Sequence, residues 1–371
     1  MKILIAPNSM KGSLDAFEFA ETVEKAFRKC SASFELRKVP VADGGDLTGK
    51  VLAKAFNARQ FSVAVRDPLG REIQAGLGVA GKTAIIEMAD ASGVKRLKTE
   101  ELNPLKASSF GTGQLLKEAI KKECAEVLLG VGGSATVDGG SGMLEALGFS
   151  FFDKHGGKLS GNGENLEKIS KIEKPAEIEN ISIKIICDVD NPLLGEKGAA
   201  KIFAPQKGAT SKMVETLEKG LKNWADLLEK ECGQKISDIK GAGAAGGIAL
   251  PLVAFWNAEL APGAEFILKK LNFEEQVQWA DIVITGEGKI DAQTLGDKAP
   301  VVVARSARKQ NKPVLAIGGT AEQEASKGFD AIFSFINRPL SLEGSMKDSR
   351  NLLFDFAFEL ARLLKIMEQS K

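Results

Sequence analysis

The chain has 371 residues, of which 44% are hydrophobic and 27% are charged, and its formal net charge is +1. This length exceeds one ordinary α/β core, so we predict two globular domains. Because the sequence shows no block of like charge and no apolar run of transmembrane length, it argues against nucleic acid and membrane as partners and favours a small ligand.

The amino-terminal segment has the pattern of a βαβ unit. An apolar strand at residues 3–6 leads into a polar loop at 7–13. Apolar residues at helical spacing predict a helix over 15–29, and a second strand is expected over 34–41. Such an opening is typical of a parallel sheet.

The middle of the chain has a different pattern of hydrophobic residues and glycines. Alternating, glycine-punctuated stretches at 71–82 and 83–88 predict a mixed sheet, and apolar strands are expected at 127–131 and 183–187. A charged amphipathic helix is predicted over 210–232.

The carboxyl-terminal part returns to alternating strands and helices. Strands are expected at 281–285, 314–317 and 331–336, and helices at 301–310 and 349–369. The predicted fold is therefore α/β with two domains. Residues 1–62 and 275–371 would form a Rossmann-like or flavodoxin-like doubly wound domain, and residues 63–274 an inserted mixed-sheet α/β domain.

Two scarce residue types limit the chemistry. His155 is the one histidine and there is no tyrosine, so catalytic triads and multi-histidine metal sites are not expected. His155 itself lies in a predicted turn after a phenylalanine-rich strand. The four cysteines are scattered without a C-x-x-C pair, which indicates reduced thiols and a cytoplasmic protein.

Six polar segments, most of them rich in glycine, are predicted to follow strands. Ligands of open α/β sheets bind beyond the carboxyl ends of the strands, so we expect these segments to share a cleft. They are residues 8–13, 43–46, 132–142, 188–191, 286–291 and 318–319.

The segment at 130–142 carries the clearest signal among them. It contains Gly132, Gly133, Ser134 and Thr136 between an apolar strand and a predicted helix. Glycines allow successive backbone N–H groups to face an anion, and a helix N-terminus adds a favourable dipole. We therefore predict that this loop binds phosphate rather than only connecting two elements.

Two formal motif matches are given less weight. Residues 44–50 match G-x-x-x-x-G-K, but Val51 stands where a P-loop needs serine or threonine. Residues 241–246 match G-x-G-x-x-G without the apolar strand that a dinucleotide fingerprint requires. The second segment is expected to let a helix start close to a ligand or to another backbone.

Carboxylates take the place of histidine as candidates for metal and proton chemistry. Asp188 ends an apolar strand, where it could accept a proton from a substrate hydroxyl, bind Mg²⁺, or open an Asx-turn. Asp43, Asp291 and Glu287 are open to the same alternatives.

Three lysines stand in otherwise small, polar loops: Lys11, Lys207 and Lys298. Phosphoryl transfer needs cations that neutralise the charge of the transferring group, although most lysines of any protein are only solvated.

Seven segments, taken in order, resemble the bacterial glycerate kinases that phosphorylate the 2-hydroxyl. They are residues 6–14, 41–45, 132–142, 187–193, 203–209, 241–247 and 285–294. The resemblance spans almost the whole chain. It implies ATP as the donor, Mg²⁺, D-glycerate as the acceptor, 2-phosphoglycerate as the product, and an active site between the two domains.

With this resemblance, roles are assigned to particular residues. Asp188 is predicted to be the base and Lys11 to hold the glycerate carboxylate, while Asp43 and Glu287 would bind the metal. The ATP phosphates would lie on the loop of Gly132, Gly133, Ser134 and Thr136, together with Lys207. Ser13, Asp291 and Lys298 are predicted to contact the substrate.

Several positions depart from the pattern of that family. Asn8 stands where aspartate is usual, Met10 where phenylalanine is, Asp46 and Leu47 where Glu-Gly is, and Asp297 where glycine is. These departures keep a non-catalytic hydroxy-acid sensor open as an alternative. A nicotinamide-dependent hydroxy-acid dehydrogenase is the other alternative, and a homodimer is compatible with the sequence.

Overall fold

The computed structural model describes residues 1–45, 47–296 and 298–369, so the departures at Asp46 and Asp297 lie outside the described residues. The strands of the described residues are β1 (Lys2–Ile5), β2 (Glu35–Lys38), β3 (Arg59–Arg66), β4 (Glu72–Ala80), β5 (Thr83–Glu87), β6 (Glu126–Gly130), β7 (Ser150–Phe152), β8 (Lys158–Leu159), β9 (Lys171–Glu173), β10 (Ser182–Ile186), β11 (Glu259–Ala261), β12 (Ile282–Ile290), β13 (Val314–Ala321) and β14 (Ala331–Ser334).

The helices of the described residues are α1 (Ala16–Cys30), α2 (Thr48–Ala55), α3 (Met88–Ser92), α4 (Phe110–Lys121), α5 (Ser141–Ala146), α6 (Ala199–Phe203), α7 (Ser211–Cys232), α8 (Ala249–Trp256), α9 (Gly263–Lys270), α10 (Phe273–Trp279), α11 (Ala299–Arg308), α12 (Leu342–Lys347) and α13 (Ser349–Gln369). Short 3₁₀ helices are Val94–Arg96, Thr99–Glu101, Pro205–Lys207, Ala244–Gly246, Ala292–Leu295 and Gln323–Gly328.

The chain divides into two compact units, here called the terminal domain (Met1–Asp43 and Gly263–Lys371) and the inserted domain (Gly44–Pro262). These bounds differ from the boundaries predicted at 62/63 and 274/275. Helix α2 packs against β4 and β5, which assigns it to the inserted domain. Helix α9 places Ala264 and Leu268 in a core of the terminal domain.

The terminal domain contains a five-stranded, fully parallel sheet in the order β14-β13-β12-β1-β2. Numbered by succession within this domain, the order is 2-1-3-4-5, which is the flavodoxin-like arrangement. The strand order reverses between β1 and β12, where Ile3 pairs with Ile282. The predicted doubly wound fold is confirmed, and its switch point places the ends of β1 and β12 side by side.

Helices cover both faces of this sheet because side chains alternate along each strand. Ile3 and Ile5 belong to the core formed with α1 and α13, whereas Leu4 belongs to the core formed with α9, α10 and α11. Helix α1 starts at a capping box in which Asp15 accepts from Glu18 N and Glu18 accepts from Asp15 N.

The inserted domain contains a six-stranded sheet in the order β11-β10-β6-β5-β4-β3. Strands β3, β4 and β5 pair antiparallel, and β5, β6, β10 and β11 pair parallel, as expected for a mixed sheet. The carboxyl ends of β5, β6 and β10 therefore meet at one edge. A separate three-stranded antiparallel sheet has β7 in its centre, and His155 lies in the exposed turn between β7 and β8.

Two predicted strand ends are wrong. Strand β12 continues through Gly286, Glu287 and Gly288, and β13 continues through Gly318 and Gly319, so neither glycine pair forms a loop. A Cβ on Gly286 would lie 2.2 Å from Ile317 O, and glycine is therefore required for the close approach of the two strands. As a consequence, Glu287 is held on a strand.

Among the described residues, no helix combines the length and the apolar character needed to cross a lipid bilayer.

Candidate active site

The glycine-rich segment after β6 has an outer part formed by Gly132, Gly133 and Ser134. The two glycines are partly exposed, and Ser134 is 7% exposed. The backbone of Gly132 lies against that of Gly45, and the Gly133 carbonyl accepts a 2.8 Å hydrogen bond from Val94 N. This outer part offers partly exposed backbone, with the largely buried Ser134 hydroxyl beside it, at the end of a buried strand.

The inner part of the segment is organised by Asp138, which is fully buried. Its Oδ2 accepts from Ser109 N and Ser109 Oγ, both at 2.7 Å, and from Gly142 N at 3.3 Å, and its Oδ1 accepts from Gly140 N at 3.1 Å. Burial raises the pKa of the Asp138 carboxyl, and these donors act in the opposite direction.

A phosphate contact was expected at the start of α5, but the backbone N–H groups there donate to side chains of the protein itself. Met143 N donates to Ser109 Oγ at 2.9 Å, and Gly142 N donates to Asp138. Because Asp138 and Ser109 accept these N–H groups, the start of this six-residue helix is capped from within. Of this segment, the outer part is therefore the region where backbone groups could meet a phosphate.

Lys207 lies beneath the outer part, in the 3₁₀ helix Pro205–Lys207. Its Nζ donates to Ser134 Oγ at 2.8 Å and to Thr136 O at 2.7 Å, and the residue is only 4% exposed. Burial lowers the pKa of the Lys207 amine to about 7, and the charge of Asp138 acts against that lowering. The structure thus places Lys207 against the loop from inside.

Thr136 is fully buried, and its Oγ1 has no hydrogen-bond partner among the described residues. The glycine-rich segment at 241–247 covers it from behind. A Cβ on Gly246 would lie 2.3 Å from Thr136 O, and Gly246 O accepts from Gly139 N at 2.9 Å. Of the two roles expected for this segment, close approach to another backbone is the one observed.

Asp188 follows β10, at the same sheet edge as the loop after β6. It is half-buried, and its neighbour Asp190 is exposed and forms a 3.0 Å ion pair with Lys240. The predicted base thus stands where a strand of the inserted domain ends.

In the terminal domain, Asn8 and Asp43 meet beyond the ends of β1 and β2. Asn8 is 5% exposed and its Nδ2 donates to Asp43 Oδ2 at 2.9 Å, while its Oδ1 accepts from Ser9 N at 2.8 Å. Asn8 N also donates to Gly286 O at 2.8 Å, which fixes it at the switch point of the sheet.

Glu287 is 7% exposed on the neighbouring strand β12. Burial raises the pKa of its carboxyl, and the negative charges of Asp43 and Asp291 raise it further. The 2.7 Å hydrogen bond from Thr294 Oγ1 to Oε1 and the Lys298 ammonium, 3.9 Å from Oε2, act in the opposite direction. The two candidate metal ligands, Asp43 and Glu287, are therefore electrostatically coupled.

Asp291 caps the 3₁₀ helix Ala292–Leu295. Its Oδ1 accepts from Gln293 N at 2.8 Å and Thr294 N at 3.2 Å, and its Oδ2 lies 3.1 Å from Lys289 Nζ. Burial raises the pKa of Asp291, but the hydrogen bonds from Lys289, Gln293 N and Thr294 N outweigh burial and lower it. Its carboxylate oxygens thus serve the local structure.

The remaining predicted residues of the terminal domain are Lys11, Ser13 and Lys298. Ser13 Oγ donates to Ser349 Oγ at 2.6 Å, at the start of α13, so its hydroxyl is used within the domain. Lys11, two residues earlier, is exposed, as a cation that meets an anionic substrate must be. Lys298 precedes α11.

Comparisons with known proteins decide the family. The model of the "Glycerate kinase family" matches residues 3–365. The chain belongs to the glycerate kinase family. A glycerate kinase of Halalkalibacterium halodurans is 42% identical over 97% of both chains, and the glycerate 2-kinase of Escherichia coli is 38% identical over 99% of this chain and 98% of that protein.

A protein named glycerate kinase 2 from Salmonella typhimurium LT2 has a similar crystal structure. Its TM-score to this chain is 0.84 at 39% sequence identity, with coverage of 100% of this chain and 99% of that one. The predicted family and the prediction of a kinase are confirmed. The dehydrogenase alternative is set aside, and the described segment 233–240 before the G-x-G-x-x-G match contains no strand.

The sequence analysis did not single out three residues that hold polar side chains in place. Asp138 lies within the glycine-rich segment, and its buried partner Ser109 is distant in sequence. Thr294 follows Asp291 by three residues, the spacing of a capping box, and that signal could have revealed its bond to Asp291 N.

Proposed function

We propose that this glycerate kinase transfers the γ-phosphoryl group of ATP to the 2-hydroxyl of D-glycerate and produces ADP and 2-phosphoglycerate. Family membership supports glycerate as the acceptor, and the E. coli relative named glycerate 2-kinase supports the 2-hydroxyl. The observation that carries the proposal is the outer part of the loop after β6, where partly exposed glycines and the Ser134 hydroxyl end a buried strand.

The ATP phosphates would lie on Gly132, Gly133 and Ser134. Glycine leaves the backbone accessible to phosphate oxygens, and the Ser134 hydroxyl can donate to one of them. Thr136 is fully buried and Lys207 almost so, and both therefore enter this proposal as supports of the loop rather than as contacts of the nucleotide.

The carboxylate of glycerate needs a cation, and the proposal gives this role to Lys11, with Lys298 as a second cation. Lys11 is exposed and flexible enough to meet an anion that arrives from solution. Ser13 and Asp291 use their side-chain atoms for Ser349 and for the 3₁₀ cap, so the proposal keeps them as supports of the substrate site.

Asp43 and Glu287 fit a magnesium ion of the nucleotide-bound kind. Among the described residues, no group of three or more His, Cys, Asp or Glu side chains could hold a metal ion. Mg²⁺ in kinases, however, is typically held by one or two carboxylates together with substrate phosphates. When bound, the ion would neutralise phosphate charge, and the coupled carboxylates of Asp43 and Glu287 would supply its protein ligands.

In the proposed reaction, Asp188 accepts the proton of the 2-hydroxyl of glycerate. The glycerate oxygen forms a bond to the γ-phosphorus, and the bond from that phosphorus to the β–γ bridging oxygen breaks, which leaves ADP. Phosphoryl transfer depends mainly on positioning and on charge neutralisation, so the cations are expected to contribute more to the rate than the base.

A coupled assay of ADP release with D-glycerate and ATP tests the reaction. Enolase then distinguishes the products, because it converts 2-phosphoglycerate directly and 3-phosphoglycerate only after a mutase is added. Glycerate-dependent ADP release with immediate enolase turnover is expected. Release of ADP without enolase turnover would refute the 2-hydroxyl, and tight glycerate binding without ADP release would favour the sensor.

A cytoplasmic location and a homodimer stay predictions. Sedimentation of the purified protein measures the second directly.

A further inference from the structure

We propose that Lys207 is a positioning residue of the nucleotide site that acts through Ser134: its amine holds the Ser134 oxygen so that the Ser134 hydroxyl proton is directed to a phosphate oxygen. This inference rests on the proposed function, because it requires the outer part of the loop to bind the nucleotide.

The geometry gives Lys207 two acceptors on one loop. Nζ lies 2.8 Å from Ser134 Oγ and 2.7 Å from Thr136 O. The two acceptors flank Ala135, whose N–H donates to Ser92 O at 2.9 Å. The Lys207 amine thus binds the loop on both sides of Ala135, and Ala135 is itself hydrogen-bonded to the backbone of Ser92.

The hydrogen-bonding capacities of the atoms determine the direction of each bond. A carbonyl oxygen only accepts, so Thr136 O receives a proton from Nζ. The pKa of Lys207 is about 7, and in the ammonium form, which is present at or below that pH, Nζ only donates, so Ser134 Oγ also receives a proton. A serine hydroxyl has one proton and two lone pairs. With one lone pair bound to Lys207, the Ser134 proton is left for another acceptor.

The burial of Lys207 argues for a positioning role and against direct contact with phosphate. Lys207 is 4% exposed, whereas Gly132 and Gly133 are partly exposed. Burial lowers the pKa of the Lys207 amine to about 7, and the fully buried Asp138 acts against that lowering. The amine therefore interacts with a buried carboxylate as well as with the loop.

A double-mutant cycle measures whether Lys207 acts through Ser134. In the otherwise unchanged protein, Ser134→Ala should raise the KM for ATP about tenfold, the effect of one lost bond to a charged acceptor. The kcat should stay within about threefold. Lys207→Met should raise this KM at least as much, and Ser134→Ala added to it should have an effect below about twofold, since coupled residues are not additive.

Two conservative variants serve as controls. Ser134→Thr keeps a hydroxyl, so its KM for ATP should lie clearly below that of Ser134→Ala. Lys207→Gln loses the charge but keeps an N–H₂ group that can donate, on a side chain shorter by one atom, so its KM should lie clearly below that of Lys207→Met. If Lys207 instead touched phosphate with its charge, Lys207→Gln would raise KM as much as Lys207→Met. The Gln variant also keeps the test open if Lys207→Met does not fold.

Additive effects in the cycle, or an unchanged KM in Ser134→Ala, would overturn the inference. Both outcomes require an active wild-type enzyme and therefore leave the proposed function standing. Absence of glycerate-dependent ADP release in the wild-type protein would instead overturn the proposed function itself.

Discussion

Asn8 donates its side-chain amide to Oδ2 of Asp43 at 2.9 Å, beyond the ends of the first two strands of the terminal domain. Its orientation is fixed, because Ser9 N donates to Asn8 Oδ1 and so leaves Nδ2 for Asp43. The resemblance in sequence leads us to expect aspartate at the position of Asn8. An amide here holds the Asp43 carboxylate by a hydrogen bond without adding a second negative charge.

Asn8→Asp should therefore destabilise the protein by about 1–3 kcal/mol, since two acceptors would face each other in a buried position. Magnesium chloride should restore part of this loss, because a divalent cation can bridge two carboxylates. Thermal unfolding with and without magnesium measures both effects. Asn8→Ser is the matched control, and a magnesium effect of the same size in that variant would contradict the explanation.

The stability of the protein should depend on pH through Lys207. Its pKa is about 7 in the folded protein, against an ordinary value of 10.5. Between these values the unfolded chain binds a proton that the folded protein has released. Stability attributable to Lys207 therefore rises as pH increases from 7 toward 10.5, and below pH 7 the full cost of burying the charge is present.

Compared with Lys207→Met, the wild-type protein should gain on the order of 1 kcal/mol per pH unit between pH 7 and 9. Urea unfolding at several pH values measures this difference. Lys222→Met, which removes an exposed lysine of α7, is the control and should show no such trend. A difference between wild type and Lys207→Met that is independent of pH would count against a buried amine with a lowered pKa.

The hydroxyl of Thr294 should contribute to the stability of the protein. Its Oγ1 donates to Glu287 Oε1 at 2.7 Å and accepts from Asp291 N at 3.0 Å. Thr294→Val should cost about 1–3 kcal/mol, because a buried carboxylate loses its donor, and Thr294→Ser should cost less. Thr22→Val is the matched control, since the buried Thr22 hydroxyl donates only to the helix carbonyl of Glu18. Equal losses at the two threonines would contradict this role.

Asp188→Asn should lower kcat by about 10²–10⁴-fold, the usual contribution of a general base, and leave the unfolding temperature nearly unchanged. Asp190→Asn is the matched control two residues away, because Asp190 is exposed and pairs with Lys240. Near-normal turnover of Asp188→Asn would remove this residue from the catalytic assignment.

Gly246→Ala should displace the proposed nucleotide-binding loop, because Gly246 lies against the backbone of Thr136. Gly246 has φ +73° and a Cβ there would lie 2.3 Å from Thr136 O, so the substitution adds a clash to backbone strain. The KM for ATP should rise, and the unfolding temperature should fall. Gly233→Ala is the control: φ is +69°, no atom of the described residues lies within 4 Å of a Cβ built there, and the substitution should cost only about 1 kcal/mol. An unchanged KM in Gly246→Ala would show that the loop tolerates displacement.

Much of the fold follows from local patterns in the sequence. The spacing of Phe19, Val23 and Phe27 identified α1, and the last helix begins at Ser349 as predicted, because helical periodicity is a property of neighbouring residues. The strand at 281–285 was predicted, but its continuation through Gly286 was missed because glycine usually marks a turn. What it serves here, close contact with Ile317, is visible only in three dimensions.

The candidate site was predicted in its outline but not in its supports. The glycine-rich loop was found because its composition departs from that of an ordinary connection. Its contacts with Lys207 and Ser109 join residues that are distant along the chain, and a single sequence does not reveal such pairs. The predicted domain boundaries differ from the observed ones for the same reason. Helix α2 belongs to the inserted domain because it packs against that domain, and composition does not reveal such packing.

The pairing of β1 with β12 affects how the protein forms during synthesis. Ile3 pairs with Ile282, so strand β1 of the terminal domain waits for its partner β12, which is made after the whole inserted domain. The inserted domain is one continuous stretch, Gly44–Pro262, and is the first unit that can complete its sheets as the nascent chain emerges. A ribosome-bound chain ending at Pro262 would therefore carry a foldable insert behind an amino-terminal strand pair with one edge still open.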